Sequence, residues 1–141
     1  MSRPDLDAMV AVALAHAAAE AAGDLEQTMA TLDGDPTYEL LPRGVVLRGR
    51  DAARRYYEHF FANVMPRVQG FELRSEWITD DGVLQEYTLF VDGLGAPGTG
   101  HSIIGILTFG DDGKLSGERL YASDALLEFM FGPVLDEAVP L

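Results

Sequence analysis

Two apolar segments near the end of the chain, Gly100 to Phe109 and Lys114 to Ala122, are separated only by Gly110-Asp111-Asp112-Gly113. Turn residues between two such runs specify an antiparallel hairpin. If the turn sits at Asp111-Asp112 or Asp112-Gly113, His101, Ile103, Gly105 and Leu107 share a face with Glu118 and Leu120, because side chains alternate strictly along a strand. An imidazole and a carboxylate on one apolar sheet face, with a glycine leaving room between them, describe the wall of a pocket.

The segments before this hairpin supply what must cover it. Asp5 or Asp7 caps a helix that runs to Ala22 and stops at Gly23. Asp24 caps a second helix through Leu32, ended by Asp33-Gly34-Asp35-Pro36. A short strand from Thr37 to Leu41 and an extended piece from Val45 to Leu47 follow. A third helix starts at Arg50 or Asp51, continues to about Val64 and is ended by Pro66. From Gly70 the period changes to two: Gly70 to Thr79 and Val83 to Asp92 form a hairpin about Asp80-Asp81-Gly82. Gly93 to Gly100 is a loop, Asp124 to Phe131 a last helical turn or two, and residues 133–141 a C-terminal tail. Helices followed by a long antiparallel meander predict an α+β domain spanning residues 1–141. Its curved antiparallel or mixed sheet wraps around about three N-terminal helices and encloses a pocket.

Composition limits the chemistry. The chain has 141 residues, 48% of them hydrophobic and 23% charged, as in an ordinary soluble globule. A net charge of −13 argues against nucleic acid or an anionic membrane as partner, since both require clustered Lys and Arg. The Ala-rich run from Ala8 to Ala22 is interrupted by His16 and Glu20 and is too short to span a bilayer comfortably, so no membrane insertion is expected. The absence of cysteine removes disulfides, thiolate zinc sites and a cysteine nucleophile, and fits a cytoplasmic location. His16, His59 and His101 show no metal-ligand spacing, and neither a nucleotide loop nor a serine elbow is present. No metal and no cofactor are expected.

Pairing about Asp81-Gly82 sets Trp77 beside Glu86, and continuing that face through Phe90 to His101 predicts a single lining surface. Trp77, Glu86, Phe90, His101, Ile103, Glu118 and Leu120 would compose it. A carboxylate placed there is desolvated, which raises its pKa towards a value useful for proton transfer. The opposite parity would put Glu86 and Glu118 on the outer face. A buried Glu paired with Arg74, Arg119 or a tyrosine would be structural, and His101 at a strand start equally fits a loop edge. His59 reads as a surface residue of its helix, and His16 with Glu20 as an i, i+4 contact.

Several motifs, in order, resemble the SnoaL-like group of the nuclear transport factor 2-like cone fold, which takes its name from polyketide cyclases. They are His16 to Glu20, Thr28 to Leu32, Asp35-Pro36-Thr37-Tyr38, Arg48 to Ala52, Tyr56 to Phe60, Glu86, and Gly113-Lys114 leading to Glu118-Arg119-Leu120-Tyr121. The resemblance covers nearly the whole chain and implies His16 as a further pocket residue, while Tyr38, Tyr57 and Trp77 read as core or pocket-wall aromatics whose polar ends need a partner. Many relatives carry an aspartate two residues after the tyrosine. Here that position is Ser123, and Asp124 either replaces the aspartate or caps the final helix.

Two function classes follow. One is a cofactor-independent acid–base enzyme (isomerase, cyclase, dehydratase or epoxide hydrolase) acting on a hydrophobic polyketide-, terpene- or steroid-like molecule. Glu118 or Glu86 would be its base, His101 would handle the second proton, and tyrosines would stabilise an oxyanion. The other is a non-catalytic ligand-binding or dimerisation module. Apolar residues on both sheet faces, with Leu89, Val91, Ile104, Ile106 and Tyr121 assigned to the outer one, predict a homodimer through that outer face.

Overall fold

A computed structural model describes residues 5–141. The Asp5 carboxylate accepts from the Asp7 N–H at 3.0 Å and starts helix α1 (Leu6–Ala22), which Gly23 ends at φ 65°. Asp24 caps α2 (Leu25–Ala30) in the same way, accepting from the Gln27 N–H at 3.1 Å.

The breaker-rich stretch after α2 is a strand. β1 (Leu32–Leu41) runs through Asp33-Gly34-Asp35-Pro36 instead of starting at Thr37. Leu32 pairs with Leu115 of β6 (Leu115–Tyr121), and the next pair is Thr37 with Gly117, so the breakers form an irregular bulge. Pro36, which has no N–H to give, therefore falls where the ladder is interrupted. β2 (Val45–Arg48) returns antiparallel to β1. Helix α3 (Arg50–His59) continues as a π-helical turn, Phe60–Val64, and a 3-10 turn, Met65–Arg67, that contains Pro66.

β3 (Val68–Thr79), β4 (Gly82–Val91) and β5 (Gly100–Phe109) complete the meander, and α4 (Asp124–Phe131) follows β6. The tail is docked. After a 3-10 turn, Gly132–Glu137, the two-residue strand β7 (Val139–Pro140) pairs with β2. The seven-stranded sheet has the order β3-β4-β5-β6-β1-β2-β7; β1 and β6 are parallel and the other neighbours antiparallel. This is the curved, mixed α+β arrangement expected.

The core lies between α3, α4 and the sheet around β1 and β2. Leu40, Ala53, Leu126, Leu127 and Phe131 are fully buried, and the Phe131 ring stacks on Tyr56 with centroids 4.1 Å apart. Between α1 and strands β3 to β6 the packing is incomplete. A cavity of about 380 Å³ remains there.

Candidate functional site

Register decides which side chains reach the cavity. In the β5–β6 hairpin Gly105 pairs with Leu120 and Leu107 with Glu118, so the parity read from the turn is the observed one. The β4–β5 connection is different. Glu86 pairs with Ile104 and Phe90 with Gly100, which puts Gln85, Tyr87 and Leu89 on the face of His101, Ile103 and Gly105. Glu86 and Phe90 are therefore on the opposite, outer face, one residue out of the expected phase.

Trp77 joins them there. It pairs with Leu84, and Ser75 with Glu86, after a bulge between Leu73 and Ser75. Before the bulge, Phe71 and Leu73 pair with Leu89 and Tyr87 on the cavity face. Trp77 and Glu86 do share a face as expected, but it is the convex one.

Five further residues singled out in the sequence fall into place differently. Leu120 lines the cavity, whereas Ile103 is buried on the same face beneath it. His101 has the cavity-face parity but is not among the cavity lining. Its Nε2 lies 3.0 Å from the Leu94 carbonyl, so it ties down the loop before β5. Ser123 caps α4, accepting from the Leu126 N–H at 3.2 Å. Asp124 is exposed, with Arg43 at 3.6 Å, and takes no place in the cavity.

Glu118 stands in the cavity wall, brought there by β6 beside Tyr38 of β1 and Leu107 of β5. Gly105 gives it room: a Cβ at that position would lie 2.5 Å from Glu118 Oε1. Among the described residues none hydrogen-bonds its carboxylate. By surface area Glu118 is half-buried. What it faces, however, is the cavity, and desolvation there governs the group. Burial, reinforced by the charge of Glu20 and partly offset by His16, pushes its pKa up to about 8.

Opposite it, a chain of hydrogen bonds connects α1 to the core. His16 is buried, with Nε2 at 2.8 Å from Glu20 Oε1 and 3.3 Å from the Tyr57 hydroxyl, and Nδ1 at 2.7 Å from Thr31 Oγ1. The Tyr57 and Tyr38 hydroxyls are 2.8 Å apart. Burial alone would lower the His16 pKa. The Glu20 carboxylate, by charge and hydrogen bond, and Glu118 more distantly, raise it above its ordinary value.

Sequence reasoning missed Tyr56, Tyr87 and Gln85 as cavity residues. In the sequence Tyr56 stands out only within the Tyr56 to Phe60 motif, and Tyr87 and Gln85 are hidden by the β4–β5 phase. Tyr56 is buried, yet its hydroxyl has no hydrogen-bond partner among the described residues and lines the cavity. Tyr87 likewise has no hydrogen-bond partner among the described residues. Burial raises the pKa of both phenols, keeping them protonated donors. The remaining wall is apolar, with Phe60, Met65, Phe71 and Met130, and among the described residues no Lys or Arg lines it. Among the described residues no group of three or more His, Asp or Glu converges as a metal site would.

A family model described as a SnoaL-like domain matches residues 13–118. No curated protein matches the sequence. Solved structures share the fold. An NTF-2 like protein of unknown function from Burkholderia xenovorans LB400 is 24% identical, with 84% of each chain covered and a TM-score of 0.64. A steroid delta-isomerase from Pseudomonas aeruginosa is 15% identical over 87% of this chain and 88% of its own, with a TM-score of 0.68. The epoxide hydrolase/cyclase-like enzyme SalBIII, of polyether salinomycin pyran-ring formation, is 15% identical over 85% and 94%, with a TM-score of 0.67.

Proposed function

The chain belongs to the SnoaL-like family, and from the chemistry of its cavity we propose a cofactor-free acid–base enzyme that moves a proton beside the carbonyl of an uncharged, largely apolar molecule. One observation carries this reading. Glu118 and the Tyr56 hydroxyl, neither with a hydrogen-bond partner among the described residues, face the same cavity. A carboxylate poised near neutral pH is a proton carrier, and a phenol donor in a largely apolar cavity stabilises an oxyanion. Two proteins that share the fold are named as a steroid delta-isomerase and as an epoxide hydrolase/cyclase-like enzyme, so the fold hosts enzymes as well as proteins of unknown function.

On a β,γ-unsaturated ketone the steps balance without a co-reactant. The Glu118 carboxylate takes a proton from the carbon between carbonyl and alkene, and the electron pair moves to oxygen as a dienolate. Tyr56, with Tyr87, hydrogen-bonds that oxygen. Glu118 returns the proton to the γ carbon and the carbonyl re-forms, giving the conjugated enone. With a pKa of about 8, about one tenth of Glu118 is ionised at neutral pH. The rate should therefore rise with pH and level off above about 8. Among the described residues the wall has two carboxylates and no Lys or Arg, which disfavours anionic substrates.

The test is conversion of cyclohex-3-enone and of a bulkier Δ5-3-ketosteroid, followed by enone absorbance. Glu118→Gln should lower turnover by at least about 100-fold. Saturable binding of both ketones without turnover would instead assign the non-catalytic module. Turnover that survives Glu118→Gln would remove Glu118 from the chemistry.

A further inference from the structure

The Thr31 hydroxyl has one proton, and its destination is determined. Thr31 Oγ1 lies 2.6 Å from the Thr28 carbonyl, an oxygen that can only accept. Two oxygens at that distance repel unless the hydroxyl proton lies between them. Oγ1 can then only accept from its other neighbour, His16 Nδ1, at 2.7 Å, so Nδ1 carries a proton. The second ring nitrogen, Nε2, is 2.8 Å from Glu20 Oε1, and a carboxylate likewise only accepts. Both ring nitrogens are donors in this arrangement.

We propose that Thr31 is a positioning residue: it locks His16 as a doubly protonated imidazolium whose mobile proton, on Nε2, is shared between Glu20 and Tyr57. When that proton is lost to solvent as the pH rises, Nδ1–H stays on Thr31. Nε2 becomes an acceptor, and the Tyr57 hydroxyl at 3.3 Å is the donor within reach. Losing the Nε2 proton thus exchanges a Glu20 contact for a Tyr57 contact with the ring fixed in place.

Each element packed on His16 contributes to this balance. Glu20 comes from α1 itself, Thr28 and Thr31 from the end of α2, Tyr57 from α3 with Tyr38 of β1 behind it, and Glu118 from β6. The imidazolium is the cation that opposes the upward shift of Glu118, so Thr31 acts at a distance on the proton carrier. That last link rests on the proposed acid–base function; the lock itself does not.

Long-range nitrogen-15 NMR of the imidazole rings tests the lock in the unmodified protein. Only His16, His59 and His101 need assignment. The neutral His16 ring should carry its proton on Nδ1, and a neutral ring protonated on Nε2 overturns the proposal. Thr31→Val should lose the Nδ1–H signal and lower the His16 titration midpoint, whereas Thr31→Ser should keep both; a valine variant indistinguishable from wild type also overturns it. The pH–rate profile on cyclohex-3-enone reads the link separately. Its inflection should move to higher pH in Thr31→Val and be restored in Thr31→Ser. A changed tautomer with an unmoved inflection upholds the lock and counts against the assigned role of Glu118.

Discussion

Glu118→Gln should make the protein more stable as well as less active, with a pH dependence that follows from where the carboxyl sits. In the folded chain Glu118 holds its proton up to about pH 8, whereas the ordinary value is 4.5. Between those limits the native state binds one more proton than the unfolded chain. Stability from this group is complete below the lower limit and is lost as pH rises through the upper one. The slope is about 1.4 kcal/mol per pH unit. It amounts to about 3 kcal/mol by pH 7 and at most about 5 kcal/mol over the whole window. Glutamine keeps the shape and cannot ionise, so the difference between variant and wild type should be small near pH 5 and grow to several kcal/mol. The raised pKa of His16 gives a slope of the same sign, but it is present in both proteins and largely cancels. Urea unfolding at about pH 5, 7 and 9 reads the difference directly. Equal pH slopes in variant and wild type would refute the claim that Glu118 is desolvated.

Other expectations rest on separate contacts. Gly105→Ala places a methyl carbon against Glu118 Oε1, so it should displace the carboxylate and cut enone turnover by about 100-fold with little loss of stability, compared by kinetics and melting. Ser123→Ala should cost about 1 kcal/mol by loss of the α4 cap, whereas Asp124→Asn should leave turnover unchanged; a kinetic effect of Asp124→Asn would reinstate the family acid at that position. We further propose that the outer sheet face pairs with a second copy. Trp77, Ile104 and Tyr121 are 52%, 37% and 42% exposed there, and sedimentation should show a dimer that Trp77→Glu dissociates.

Much of this architecture was legible because local signals agreed with one another. Asp5, Gly23 and Asp24 mark helix ends by capping chemistry, and Gly110-Asp111-Asp112-Gly113 sets the β5–β6 register that brings Glu118 to the cavity. Glu86, Trp77 and Phe90 were misplaced for a single reason. The Gly93 to Gly100 loop carries no two-residue turn signature, so the phase between β4 and β5 could not be counted, and one residue of slip exchanges the two faces. The bulge between Leu73 and Ser75, which turns Phe71 inward and Trp77 outward, has no glycine to announce it. Pro36 misled in the opposite direction, because a bulge tolerates a residue that a regular ladder would not. The His16 chain was visible as an i, i+4 pair with Glu20. Thr31 and Tyr57, which give that pair its meaning, come from two other elements and are joined to it only by the fold.

The central claim is that Glu118 is a desolvated proton carrier in an apolar cavity, and carbon-13 NMR titration of the glutamate carboxyls tests it most directly. One carboxyl resonance should titrate near pH 8 in the wild type, disappear in Glu118→Gln, and shift when a saturating ketone fills the cavity. A Glu118 resonance titrating in the ordinary carboxylate range, near its usual 4.5, would contradict the account.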